Sequence, residues 1–217
     1  MTFTRLHISV FLAFAVAAWW IVLTVQGYQL SIKYLAPFGT VVGVLGMLVL
    51  ALEYFLWAMP WLQDWFVKRP DLRGTWRINL ESDWAGSGAQ QGVLSVTCYM
   101  GVEQTLSSLQ MHLMTPDSES WFVAHSIRLS PSESGYQVIG VYTNKPALHH
   151  RGKRSEIHFG AIVIDTHGQV KSKPDTLTAE YWTDRKTSGQ MVFLEKVPQV
   201  YSRYSDAQAA FDMRSAI

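Results

Sequence analysis

The sequence predicts a membrane-anchored all-β protein, a two-helix transmembrane hairpin followed by an eight-stranded antiparallel up-and-down β-barrel. Three observations carry that reading. Two long apolar runs stand near the N-terminus, eight short segments rich in β-branched and aromatic residues follow, and no stretch between Asp71 and Val197 keeps a helical period.

The first run, Ile8 to Val25, holds no charged residue, and the second, Phe38 to Met59, is interrupted only by Glu53. Each is long enough to cross a bilayer as a helix. The short turn between them makes a hairpin with both chain ends on one side. Arg5 and His7 precede the first run, Lys68, Arg69 and Arg73 follow the second, and the turn has Lys33 alone. Basic residues are retained on the cytoplasmic face, so the expectation is a membrane protein with two spans and cytoplasmic N- and C-termini. Trp19, Trp20, Tyr28, Tyr34, Trp57, Trp61 and Trp65 lie toward the span ends, where amphipathic rings favour the water–lipid boundary. A cleaved signal peptide is the competing reading of the first run, with Ala15-Val16-Ala17 as cleavage site, but apolar residues continue past that point. The expected domains are the hairpin at 1–62, a juxtamembrane linker at 63–71, the barrel at 72–197 and a C-terminal tail at 198–217.

The predicted strands are Arg73–Leu80, Gly92–Met100, Val102–Met114, Glu119–Leu129, Tyr136–Lys145, Glu156–Asp165, Thr176–Thr183 and Gln190–Lys196. Gly, Pro, Asp and Ser stand between them where the chain must reverse. Eight antiparallel strands can close on themselves, which removes exposed sheet edges and leaves room for side chains or one small ligand. Polar residues fall in register with apolar ones, Tyr142 and Asn144 beyond Val138 and Thr183 beyond Tyr181. A small barrel with a partly polar interior accounts for that mixture; a two-sheet sandwich is the alternative.

Only 16% of residues are charged, 48% are hydrophobic and the net charge is +1, a balance that argues against a nucleic-acid polymer as partner. The single cysteine, Cys98, has no partner for an internal disulfide. His149 and His150 lack the convergent ligands a metal needs, so no metal and no cofactor are expected. Neither a P-loop, a Gly-x-Ser-x-Gly elbow nor a His-Glu-x-x-His motif occurs, and no enzyme activity is expected.

Several short segments carry a resemblance: LRGTW (Leu72–Trp76), YTNKP (Tyr142–Pro146), EIHFG (Glu156–Gly160) and above all EYWTDRKTSG (Glu180–Gly189). With the apolar hairpin they make the chain resemble the membrane effectors of bacterial cyclic-oligonucleotide antiphage signalling. That resemblance implies a minimal barrel, similar to lipocalin and fatty-acid-binding barrels, that senses a cyclic di- or oligonucleotide made by a partner nucleotidyltransferase. It further implies placement of the two spans in the bacterial inner membrane, self-association of the liganded protein and disruption of that membrane leading to cell death. The last twenty residues match no recognisable pattern.

Such a ligand needs Arg or Lys for phosphate, flat aromatic faces for bases and small polar groups for ribose and base edges. Arg185 sits in the turn after Tyr181, Trp182 and Thr183, with Thr187 beyond it, and Arg154 lies in the connection before Glu156 and His158. Tyr142 and Asn144 end the strand that enters that connection. Turns joining strands five to six and seven to eight share one end of an up-and-down barrel, so the expected ligand-binding set is Arg185, Thr183, Tyr181, Thr187, Tyr142, Asn144, Arg154 and His158. In the apolar runs, Gly39 and Gly43 form a GxxxG pattern suited to close helix approach, and Glu53 is a costly carboxylate that a cluster of copies would use to admit water. A tethered lipocalin-like carrier of an apolar molecule, with a uniformly apolar lumen, is the alternative function; an anchored scaffold with a filled barrel and no ligand is a third.

Overall fold

The computed structural model describes residues 5–28, 32–63, 65–83, 94–131, 135–148 and 156–215, with helix side chains described from residue 13 and, in the second helix, from residue 39. The chain divides into two units, residues 1–59 with 105–108, and residues 60–104 with 109–217.

The first unit contains helices α1 (Arg5–Val25) and α2 (Ile32–Tyr54). The expected transmembrane hairpin is corrected here. Among the described residues no helix is long and apolar enough to cross a membrane. The two-span inner-membrane placement built on that hairpin is corrected with it. Glu53, near the end of α2, serves the 105–108 turn: its Oε1 accepts hydrogen bonds from Thr105 Oγ1 (2.5 Å), Ser107 Oγ (2.6 Å) and the Ser107 amide (3.2 Å). Among the described residues, a side-chain Cβ at Gly39 or Gly43 would meet nothing within 4 Å.

The second unit holds the barrel. Strands β1 (Gly74–Ser82), β2 (Leu94–Gln104), β3 (Leu109–Met114), β4 (Ser118–Leu129), β5 (Tyr136–Pro146), β6 (His158–His167), β7 (Thr176–Thr183) and β8 (Ser188–Val197) run antiparallel in chain order. Pairing of β1 with β8 closes the barrel and leaves no free edge. Strand alternation decides what lies inside. Even positions of β5 and β6 and odd positions of β7 are buried, apart from half-buried Asn144 and Thr183, and their neighbours are exposed or half-exposed.

Two departures from the sequence reading have a physical cause. The break expected at Met100–Gly101 lies at Thr105–Ser108 instead, because Gly101 is an in-strand glycine. A Cβ there would stand 2.6 Å from the Tyr201 carbonyl oxygen, so the glycine admits the C-terminal tail against the wall. The tail itself is ordered. Thr75 Oγ1 donates to the Gln199 carbonyl (2.8 Å) and accepts from the Tyr201 amide (2.9 Å). Helix α3 (Tyr204–Ser215) then lays fully buried Phe211 on Tyr99 with ring centroids 5.3 Å apart, beside Met114 and Ala207.

The barrel interior is filled by Trp76, Ile78, Met100, Met111, Ile164, Leu177 and Phe193 among others, all nearly or wholly inaccessible. One end is plugged. Leu72 is fully buried, its amide donating to Gln104 Oε1 (3.0 Å), while Gln104 Nε2 donates to the Pro70 carbonyl (2.8 Å) and Trp76 Nε1 to the Leu72 carbonyl (3.0 Å). The opposite end, where the turns after β1, β3, β5 and β7 gather, is different in chemistry.

Candidate ligand-binding mouth

The inward positions nearest that end are polar. Register places Asn144 between Ser120 on β4 and His158 on β6, Tyr142 opposite Gly160, Gly160 opposite Thr183, and Tyr181 opposite Gly189. Neighbours in register stand about 5 Å apart at Cβ, so these side chains form one continuous lining.

Arg185 is brought to the lining by the β7–β8 turn. The Thr183 amide donates to the Thr187 carbonyl (2.9 Å), the Lys186 amide to the Thr183 carbonyl (3.1 Å), and the two threonine hydroxyls meet at 2.7 Å. Lys186 takes φ of 61°, the left-handed conformation that closes the turn. The Asp184 amide donates to the Phe159 carbonyl and the Phe159 amide to Asp184 Oδ2, which fastens the turn to the start of β6. Arg185 Nη2 thereby reaches 3.3 Å from His158 Nε2.

The tautomer of His158 follows from its other nitrogen. Nδ1 lies 3.0 Å from the Glu156 carbonyl, which can only accept, so Nδ1 carries the proton and Nε2 offers a lone pair to the guanidinium. Burial pushes the imidazole pKa down, the Glu156 carbonyl offsets part of this, and Arg185 pushes it further down. His158 is therefore neutral at pH 7 beside a permanent cation. Tyr142 is also held in its neutral form, since burial raises its phenol pKa well above the ordinary value. Tyr181 is raised likewise by burial, partly offset by a hydrogen bond to Ser82.

Two glycines make room for the aromatic rings. A Cβ at Gly160 would overlap Tyr142, and one at Gly189 would overlap the Glu81 carbonyl and crowd the Tyr181 ring. Both tyrosines are 8% exposed, and in each the hydroxyl end of the ring lies against the glycine paired with it.

Seven of the eight expected ligand-binding residues thus fall on or beside one mouth: Arg185, Thr183, Tyr181, Thr187, Tyr142, Asn144 and His158. Arg154 lies outside the described residues, as do His149 and His150. Sequence reasoning missed Ser82, Thr115, Ser118 and Ser120, and it missed the two lining glycines. The signal was present in SESWF and EIHFG, where alternation puts Ser118 and Ser120 on the face of Phe122, and Gly160 on the face of His158. Among the described residues no group of His, Cys, Asp or Glu is arranged to hold a metal. Cys98 is buried in the interior with its thiol pKa pushed up to about 12, so it is inert as a nucleophile.

A groove of about 430 Å³ shares Ser82, Tyr181 and Gly189 with this lining and is otherwise lined by Glu81, Asp83, Glu180, Trp182, Ser188 and Gln190. Its three carboxylates would repel a phosphate. The anion-compatible surface is the Arg185 side of the mouth.

The chain thus folds as a closed eight-stranded β-barrel, packed solid at one end and polar at the other, with a guanidinium at the polar mouth. The particular family is shown by sequence: the model for the Cap15 cyclic dinucleotide receptor domain matches residues 67–195, more than half of the chain, and the chain belongs to that family. No curated protein matches the chain.

Proposed function

We propose that the polar mouth is the receptor site for a cyclic dinucleotide second messenger in bacterial antiphage defence. The observation that carries this reading is Arg185 held against a neutral His158 at the mouth of a barrel from a cyclic dinucleotide receptor family. The guanidinium offers a phosphate two parallel hydrogen bonds, Tyr142 and Tyr181 offer ring edges and phenol donors, and Thr183, Thr187 and Asn144 offer small polar groups for ribose and base. The ligand is bound, not transformed, and the domain acts as a receptor. Its bases and ring size are open to experiment.

Ligand binding drives self-association of the chain, and membrane disruption is the output. Support for self-association comes from the apolar side chains that the helices leave exposed, among them Phe14, Ile21, Val25, Leu45 and Met47, which a second copy or lipid would cover. For a ligand to shift that equilibrium it must bind the associated form more tightly than the dispersed one. A nucleotidyltransferase supplies the messenger.

The carrier reading is disfavoured by one observation. The interior that an acyl chain would occupy is filled by Trp76, Ile78, Ile164, Leu177 and Phe193. Competition decides between the two: a fluorescent fatty acid and a panel of cyclic dinucleotides are titrated into the full chain. Saturable nucleotide binding with no fatty-acid binding supports the receptor; the reverse establishes the carrier.

A further inference from the structure

We propose that the phosphate gripped by Arg185 drives His158 to take up a proton, so that the site gains a positive charge only when it is occupied. The inference rests on the receptor reading above and adds to it the chemistry of the imidazole.

In the free protein both ring nitrogens are engaged. Nδ1 gives its hydrogen to the Glu156 carbonyl at 3.0 Å, and Nε2 turns its lone pair to Arg185 Nη2 at 3.3 Å. A second proton would have to sit on Nε2, against the guanidinium. The residue is buried at the start of β6, so water does little to stabilise an imidazolium there. Among the described residues the charged groups that act on the ring are Arg185, which opposes protonation, and Asp184, which favours it. Asp184 is tied to the Phe159 amide at 3.2 Å. Tyr142, the titratable neighbour on β5, stays a neutral phenol.

A bound phosphate reverses this balance. A guanidinium grips an anion through a fork of two parallel N–H bonds, and the fork at its end and the fork at its side both include Nη2. The nitrogen that meets His158 is therefore the one that meets the phosphate, and the anion comes within two hydrogen-bond lengths of Nε2, about 6 Å. An opposite charge at that range favours the charged form of a group, and the ligand offsets the guanidinium charge that kept the proton away. Histidine, with an ordinary pKa of about 6.5, is near enough to neutrality for this change to be felt at pH 7. The proton comes from solvent, and no bond of the ligand changes. Phosphodiesters stay singly ionised and the bases hold their protons between pH 6 and 8, so the uptake belongs to the protein.

Calorimetric titration of the full chain with cyclic di-AMP, cyclic di-GMP, cyclic di-UMP and cyclic GMP–AMP finds the ligand that binds best. That ligand is titrated at pH 7 in Pipes and in Bis-Tris, buffers of different ionisation enthalpy. The difference in heat should correspond to uptake of about a third of a proton or more per ligand, and affinity should rise about fivefold or more from pH 8 to pH 6. His158→Gln should lose the uptake and flatten the pH profile, with thermal melting at each pH used to establish that both proteins are folded. NMR of wild type carrying isotope-labelled histidine needs no variant: one ring should pass from singly to doubly protonated as ligand is added. Equal heats in the two buffers, with no ring changing its protonation, overturn the inference while leaving the receptor reading standing. Uptake undiminished in folded His158→Gln overturns it as well. Absence of binding by every cyclic dinucleotide overturns both.

Discussion

The ring of Tyr142 lies across Gly160, its register partner on β6, so closely that a methyl group at residue 160 would occupy the place of the phenol. Trp182 adds its carbonyl oxygen 2.8 Å from the same point. The glycine is there for space, not for backbone freedom. Gly160→Ala should force Tyr142 out of the lining and destabilise the barrel by about 1–3 kcal/mol, as overpacking does. Denaturant midpoints measure this. In a Tyr142→Ala background the same substitution should cost clearly less, and equal costs in the two backgrounds would refute the pairing.

Helix α3 should behave as part of the barrel. Phe211 is fully inaccessible and stacks on Tyr99 at an interplanar angle of 23°, and Gly101 gives the incoming tail its passage. Phe211→Ala is expected to cost about 3–5 kcal/mol, and removal of residues 198–217 at least as much. Thermal melting of the two variants checks this; an unchanged Tm after truncation would make the tail an appendage.

Acid should weaken the fold through its histidines. Burial lowers the pKa of His112, His125 and His158, so each binds a proton less readily when folded than when unfolded. Above the ordinary histidine value near 6.5 both states are neutral and the term is absent. As pH falls below it the unfolded chain takes up protons first, and stability drops until the folded-state values are passed. Urea midpoints between pH 7.5 and 5 should therefore decrease with falling pH, and His158→Gln should flatten part of that slope. A flat wild-type profile across this window contradicts the assignment.

The barrel was legible because its information is local. Alternation along Tyr136–Pro146 and His158–His167 reports which side chains face inward, and turn residues mark most strand ends. Where a residue answers to a distant segment the reading failed. Gly101 looks like a turn, but it is an in-strand glycine answering to Tyr201, about a hundred residues away. Glu53 looks like a carboxylate stranded among apolar residues, and it is satisfied by Thr105 and Ser107. The apolar runs form helices as their composition suggests, yet among the described residues none of them is long and apolar enough to cross a membrane. At the mouth, Arg185 and the tyrosines stand out by residue type. The Thr115, Ser118 and Ser120 hydroxyls do not, because serine and threonine near a turn are ordinarily there for the backbone.

The central claim is that Arg185 holds a phosphate of a cyclic dinucleotide at this mouth, and calorimetry on the wild type, Arg185→Ala and Arg185→Lys tests it most directly. Charge-assisted hydrogen bonds contribute about 1.5–3 kcal/mol, so Arg185→Ala should weaken binding of the best ligand by roughly ten- to a hundredfold with the Tm unchanged, the side chain being exposed on a turn. Arg185→Lys should recover part of the loss, since an ammonium keeps the charge and cannot make two parallel bonds. Unchanged affinity in a folded Arg185→Ala protein would contradict the account.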